Sequence, residues 1–139
     1  MIRALVALVV VLGACAPPPA DELAVERVNT LPLNTFPPFS ARVTEATIVQ
    51  GLASKIRSLP PARLDVWCPF DWGLKYDLDF RHQGTRLLHG VVDAGGCRTL
   101  SLGAGDVRQT DESFWATLAG ALNLYTRGSD LFPTPIPGH

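Results

Sequence analysis

The chain has 139 residues, enough for one domain of ordinary size and too few for two. Hydrophobic residues make up 47% and charged residues 18% of the chain, so a packed core is expected and global disorder is excluded. The formal net charge is −1 and the basic residues form no cluster. The sequence therefore lacks the basic face that nucleic-acid binding requires.

The first fifteen residues have the organisation of an export signal. A single basic residue, Arg3, precedes an unbroken apolar run over residues 4–12, and small residues lead to Cys15. The run is too short for a membrane-spanning helix, which needs about 20 residues, but it is typical of the apolar core of a secretory signal. The segment 12–15, Leu-Gly-Ala-Cys, resembles the lipobox of bacterial lipoproteins.

This resemblance implies a lipid anchor on Cys15. In that family the signal peptide, here residues 1–14, is removed, the cysteine thiol carries diacylglycerol, and the new amino group takes a further acyl chain such as palmitate. The protein is then expected on the cell membrane or the outer membrane, held in the bilayer by acyl chains, with its domain facing the periplasm or the exterior. An ordinary signal peptide, or a free thiol at Cys15, is the alternative.

Residues 15–38 are predicted to form the lipidated cysteine and a tether. Three consecutive prolines at 17–19 favour a stiff, extended spacer. Residues 23–31 alternate weakly between apolar and polar and are interpreted as an edge strand. Three later prolines, at positions 32, 37 and 38, argue against a continuous central strand in this region.

A single domain is expected over residues 39–127, followed by a Pro-rich tail over 128–139 that lacks regular structure.

Two helices are predicted within this domain. The first has Thr44 as its N-cap, carries an apolar stripe at helical spacing and stops at the proline pair that follows it. The second spans about 112–125, with Thr110 or Asp111 as its cap and Gly128 as its stop.

Four extended runs lie between the helices, at 63–68, 74–81, 85–93 and 97–102, and a short edge is expected near Val107. The second run alternates strictly and is expected to point Leu74, Tyr76, Leu78 and Phe80 inward. Gly90 in the third run is interpreted as a bulge. The predicted fold class is α+β: an antiparallel sheet of about four to six strands, with two helices packed on one face and one disulfide.

Cys68 and Cys97 form an even pair once Cys15 is assigned to the lipid. In an exported protein such a pair is expected to be a disulfide. A redox or metal site is the alternative, but the chain has no CxxC spacing, and His82 and His89 between the cysteines lack zinc-ligand spacing. No metal and no cofactor are predicted.

Candidate catalytic groups have structural interpretations that are simpler. Asp77 and Asp79 lie on the predicted wet face beside basic residues, where cross-strand ion pairs account for them. Asp71 sits in a loop, where a carboxylate usually accepts backbone N–H groups. The chain has no G-x-S-x-G elbow and no phosphate-binding glycine loop, so the protein is not predicted to be an enzyme.

Aromatic residues flank the first cysteine of the pair. Trp67, Phe70 and Trp72 are interpreted as partner-binding residues on a rigid loop, or alternatively as a cover over one end of the core.

The domain also resembles a group of exported bacterial proteins to which no activity is assigned. The shared pattern is C-P-x-D-x-G-x-x-Y-x-L-x-F over 68–80, then G-C at 96–97, then F-W-x-x-L over 114–118. The resemblance covers roughly residues 40–125 and implies the disulfide and the domain limits, but no function.

The sequence thus predicts a membrane-anchored lipoprotein that serves as a binding or structural module of the cell envelope, with a protein partner as its target. The alternative function is an enzyme inhibitor that uses the loop from Pro69 to Gly73 as its wedge. A hydrolase is a third possibility and needs His82 or His89 beside a nucleophile.

Overall fold

A computed structural model describes residues 17–32, 34–63, 65–68, 71–124, 131–133 and 136–137. The strands are β1 (Glu22–Asn29), β2 (Asn34–Thr35), β3 (Ser40–Val43), β4 (Leu74–His82), β5 (Thr85–Asp93), β6 (Thr99–Ser101), β7 (Val107–Gln109) and β8 (Ile136–Pro137). The helices are α1 (Ala46–Ser58) and α2 (Glu112–Ala121). Neither of these helices is long and apolar enough to cross a bilayer.

Six strands form one antiparallel sheet in the order β3-β1-β4-β5-β6-β7, and β2 pairs with β8 in a separate two-stranded sheet. The inward side chains of β4 (Leu74, Tyr76, Leu78 and Phe80) are buried, as their alternation predicts. Side chains from both helices, including Leu52 of α1 and Phe114 of α2, belong to the same core cluster. The predicted α+β fold, with both helices covering one face of the sheet, is confirmed.

Strand β1 lies in the interior of the sheet, between β3 and β4. Every residue of β1 has a partner on β4, so the prediction of an edge strand within a tether over 15–38 is wrong. The prolines that suggested an edge come after the strand, which has already ended at Asn29. Ala20 is buried in the core. The folded domain therefore begins near residue 20, earlier than the predicted boundary at residue 39.

The carboxyl-terminal segment also contributes to the fold. Leu131 is only 1% exposed and belongs to the core cluster, and β8 pairs with β2. The prediction of a tail without regular structure over 128–139 is therefore wrong for the part of it that the structure describes.

The observed N-cap agrees with the sequence prediction at α2 and differs from it at α1. Asp111 caps α2 by accepting a hydrogen bond from the backbone N–H of Phe114 at 2.7 Å, as predicted. At α1 the N-cap is Glu45, which makes no side-chain cap bond, so the prediction of Thr44 is wrong. Helix α2 ends at Ala121, before the predicted residue 125, and Asn123 follows in the left-handed region with φ 58°. The predicted stop, Gly128, lies outside the described residues.

Strands β4 and β5 form a hairpin whose turn residues, Gln83 and Gly84, both have positive φ, at 48° and 81°. This is the type I′ geometry that matches the twist of two-residue hairpins. The strand irregularity falls between Phe80 and Arg81 rather than at Gly90, which pairs regularly with Leu78. Gly90 instead permits close packing, because a Cβ there would lie 2.9 Å from Leu100 Cδ1.

Candidate functional site

The disulfide between Cys68 and Cys97 is present, as predicted. Its Cα atoms are 5.0 Å apart and 29 residues separate the two cysteines in the chain. The bond joins the segment that enters β4 to the turn that leaves β5. We call the surface around it the disulfide pole, formed by residues 31, 65–68, 71–73 and 95–97.

The segment 63–68 was predicted to be a strand, but its described residues, 63 and 65–68, form no strand. The physical reason is that the sheet positions beside β4 and β7, which this segment adjoins in the chain, are already taken. Both sides of β4 are occupied by β1 and β5, and the outer side of β7 is taken by residues 60–62. There the N–H of Ala62 donates to Val107 O, and the N–H of Gln109 donates to Pro60 O, both at 2.8 Å.

Because this segment has no sheet partner, its side chains face solvent. Trp67 is 83% exposed, Val66 is 49% exposed, and Trp72 on the far side of the disulfide is 45% exposed. The structure therefore places the two tryptophans on the surface of the same pole. Phe70, the third predicted partner-binding residue, and Pro69 lie outside the described residues, so the loop from Pro69 to Gly73 is described only from residue 71 onward.

The described part of that loop is fixed by a side-chain hydrogen bond. Asp71 Oδ1 accepts from the N–H of Gly73 at 2.9 Å, which confirms the prediction that Asp71 shapes this turn. Gly73 has φ +74°, and a Cβ there would lie 2.8 Å from the backbone nitrogen of Leu31. Only glycine fits this position without strain. The close approach brings Leu31, itself an exposed apolar residue, to the disulfide pole.

A second carboxylate lies behind the loop. Asp93 Oδ1 accepts from the N–H of Gly95 at 2.9 Å, and Lys75 Nζ lies 3.7 Å from Asp93 Oδ2. Burial is the main factor that raises the pKa of Asp93 above its ordinary value, and the negative charge of Asp71 adds to this increase. The hydrogen bond from Gly95 and the charge of Lys75 act in the opposite direction.

An apolar cleft of about 300 Å³ lies beside Val66, the residue that precedes the exposed Trp67. It is lined by Pro60, Pro61, Arg63, Val66, Cys97 and Gln109. The sequence reasoning missed this cleft because it interpreted the proline pair only as the stop of α1. A sequence signal did exist: two rigid prolines precede the segment that carries the exposed tryptophan.

The remaining candidate chemical groups lie away from the pole, on the open face and at the far end of the sheet. Asp77 Oδ1 is 3.0 Å from His89 Nε2, and Asp21 Oδ2 is 2.9 Å from His82 Nδ1, so each histidine has a carboxylate neighbour. In the part of the chain that the structure describes, no three His, Cys, Asp or Glu side chains are placed to hold a metal ion.

Asp79 differs from the prediction of a solvated carboxylate, because it is only 8% exposed. Arg81 Nε donates to its Oδ2 at 2.9 Å, and Arg86 Nε donates to its Oδ1 at 2.6 Å. The hydrogen bond from Arg86, followed by the bonds and charge of Arg81, lowers the pKa of Asp79 despite its burial. The pair with Arg86 of β5 is a cross-strand ion pair, as predicted, whereas Arg81 lies two residues away on β4 itself. Together the two guanidinium groups cover this carboxylate.

The fold and the pole together define a small disulfide-bonded α+β domain with an exposed aromatic surface. Comparison with family models, with curated proteins and with solved structures gives no match for this chain.

Proposed function

We propose that this protein is a lipid-anchored module of the bacterial cell envelope that binds a protein partner through its disulfide pole. The observation that carries the proposal is the exposure of Trp67, 83%, directly beside a disulfide-bonded cysteine. Burying an aromatic side chain of this size removes a large apolar area from water on binding, and the disulfide limits the conformational entropy lost when the segment is fixed.

The surroundings of Trp67 have the composition of a binding surface. Val66 and Trp72 are exposed on the same pole, and Val66 also lines the apolar cleft of about 300 Å³ formed with Pro60 and Pro61. Arg63 and Gln109 add polar groups to the lining of this cleft. An apolar core with a polar rim is the usual anatomy of a protein–protein interface.

The anchor part of the proposal rests on the sequence around Cys15, which lies outside the described residues. Replacing Cys15 removes the thiol that takes the diacylglycerol, so we expect Cys15→Ser to move the protein from the membrane fraction to the soluble fraction. Arg3→Lys, which keeps the basic residue of the signal, is the matched control. Persistence of Cys15→Ser in the membrane fraction would rule out the lipid anchor.

The binding part is tested by cross-linking in intact envelopes, followed by purification of the protein with its partner. We expect Trp67→Ala to lose the cross-linked partner and Leu87→Ala, a substitution of an exposed apolar residue far from the pole, to retain it. Equal yields from the two variants would exclude Trp67 from the interface.

The same experiment separates the binding module from the enzyme inhibitor. An inhibitor requires the captured partner to be a hydrolase whose activity falls when the purified domain is added, and Trp72→Ala to restore that activity. A partner without such activity favours the binding or structural module.

A further inference from the structure

Most of the large exposed apolar side chains of the described residues lie at one end of the molecule. Among the described residues the large exposed hydrophobics are Leu31, Val66, Trp67, Trp72 and Leu87. The first four belong to the disulfide pole, and only Leu87 lies near the opposite end, in β5 close to the β4–β5 turn. Exposed tryptophans are found both in protein interfaces and at membrane surfaces, so the pattern alone does not identify what covers the pole.

The path of the chain shows where the amino-terminal segment joins the sheet. The N–H of Asp21 donates to Arg81 O at 2.9 Å, and the carboxylate of Asp21 accepts from the N–H of Gln83 at 3.3 Å. Ala20 is buried in the core. The chain therefore enters the fold beside the β4–β5 turn, which we call the hairpin end.

The hairpin end and the disulfide pole are at opposite ends of β4. This strand runs from Leu74, next to Gly73 and Trp72 of the pole, to His82 at the turn. Eight steps at a strand rise of about 3.3 Å separate these two residues by about 26 Å.

The segment between the lipidated cysteine and the fold is shorter than that. From Cys15 to Ala20 there are five Cα–Cα steps, which span at most about 18 Å when fully extended. The three prolines at 17–19 make this segment stiff. A domain standing with its disulfide pole on the bilayer would hold Ala20 about 26 Å from the surface, beyond the reach of the anchor.

We infer that the domain stands on the membrane with its hairpin end toward the lipid, and that the disulfide pole faces the aqueous compartment to receive a protein partner there. This inference rests on the proposed lipid anchor at Cys15. In this orientation the partner is a protein on the aqueous side, and one of its apolar side chains enters the cleft lined by Val66. The bilayer is then excluded as the ligand of the tryptophans.

The open face of the sheet does not favour a tilted position that lets Trp67 touch lipid. The open face of the sheet carries ion pairs such as Lys75 with Asp93 and Arg42 with Glu22. Pressing this face against lipid headgroups removes water from these charges, and that desolvation opposes the contact. The exposed large apolar residues named above lie at the two ends of the molecule rather than on this face. Lipid contact on this face would therefore bury little apolar surface to offset the desolvation of the charges.

Energy transfer from tryptophan to a lipid headgroup tests the orientation. The lipid-modified full chain is placed in vesicles of phosphatidylethanolamine and phosphatidylglycerol that contain a dansyl-headgroup lipid. The signal of Trp67 is the difference between the unmodified sequence and Trp67→Phe. Thr85→Trp, and independently Leu87→Trp, places a donor at the hairpin end, and circular dichroism verifies that each variant is folded.

We expect the hairpin-end donors to transfer energy several-fold more efficiently than Trp67. Equal transfer, or stronger transfer from Trp67, would overturn the orientation while leaving the anchor intact, since the protein still floats with the vesicles. If the full chain does not float, or if Cys15→Ser floats equally well, the anchor itself is wrong and the orientation inference falls with it. Flotation and energy transfer thus distinguish the two failures.

Discussion

The hydroxyl group of Tyr76 connects three parts of the chain. It donates to Leu131 O at 2.7 Å and accepts from Arg27 Nη2 at 3.0 Å and Nε at 3.1 Å. The Arg27 guanidinium also lies over the rings of Phe39 and Tyr76 and donates to Pro37 O. Tyr76 and Arg27 together thus connect β1, the segment before β3 and the carboxyl-terminal segment to the centre of the sheet.

We expect Tyr76→Phe to lower the free energy of unfolding by about 1–2 kcal/mol, because the buried Leu131 O and the half-buried Arg27 lose the bonds they make to this hydroxyl. Urea denaturation followed by circular dichroism measures the change. Thr117→Val is the matched control: its hydroxyl donates to Ser113 O at an exposed site on α2, where water replaces the bond. A loss no greater than in the control would contradict the proposed connecting role.

Asp79 holds together two arginines that would otherwise repel each other. The irregularity between Phe80 and Arg81 places Arg81 directly opposite Arg86, and the carboxylate of Asp79 bonds to both. We expect Asp79→Ala to destabilise the protein more than Asp77→Ala, since Asp77 contacts only the half-exposed His89 among the described basic residues. Melting temperatures at low and high salt measure the difference, which should shrink as salt screens the two guanidinium charges.

At the level of single elements, helix α2 depends on a carboxylate that also contacts α1. Asp111 caps α2, accepts from Ser113 Oγ and forms an ion pair with Lys55 of α1 at 2.9 Å. The hydrogen bonds from Lys55, Phe114 and Ser113 lower the pKa of Asp111 to about 2, from an ordinary value of 3.8. The ionised form of this side chain is therefore favoured in the folded state.

A depressed folded-state pKa gives stability that is present above pH 4 and is lost as the pH falls from about 4 toward 2. We expect Asp111→Ser, which keeps an oxygen acceptor for the cap but removes the ion pair, to have a melting temperature that decreases less steeply over this range. Glu112→Gln, a neighbouring change outside the cap bond, should retain the original acid dependence. An unaltered acid dependence in Asp111→Ser would contradict the role assigned to Lys55.

In the molecule as a whole, the point where the amino-terminal segment enters the fold is far from most of the exposed apolar surface. The amino-terminal segment enters at the hairpin end, the tryptophans lie at the disulfide pole, and the rigid strands β1 and β4 connect the two ends. The Cys68–Cys97 bond fixes the pole, while the buried core cluster includes neither cysteine. The core and the pole are thus stabilised by different interactions.

Replacing both cysteines (Cys68→Ser with Cys97→Ser) should lower the free energy of unfolding by about 3–4 kcal/mol, because the unfolded chain regains the entropy of an open 29-residue loop. Denaturant titration of the unlipidated soluble form measures this. Cys15→Ser in the same form leaves the paired cysteines unchanged and should have no effect. A double variant as stable as the control would mean that the bond contributes nothing to the fold.

Local patterns in the sequence were sufficient to predict the helices and strands in which buried and exposed residues recur at a regular spacing. The alternation in residues 74–81 predicted β4 and its buried face, and the apolar stripes predicted both helices. The pairing of Cys68 with Cys97 followed because they are the two cysteines that remain once Cys15 is assigned to the lipid. These features depend on backbone periodicity and on cysteine parity, which are visible without knowing the partners of any strand.

The positions of strands within the sheet depended on the tertiary structure. Whether β1 lies inside the sheet, whether residues 65–68 find a strand partner, and whether Asp79 is covered by two arginines are decided by which segments become neighbours. Contacts between segments that are far apart in the chain produce no periodic pattern in the local sequence. A one-residue irregularity also changes which side chains meet across two strands. The exposure of Trp67 was also decided by tertiary neighbours, because the residues around it pair with no strand and the side chain is left in solvent.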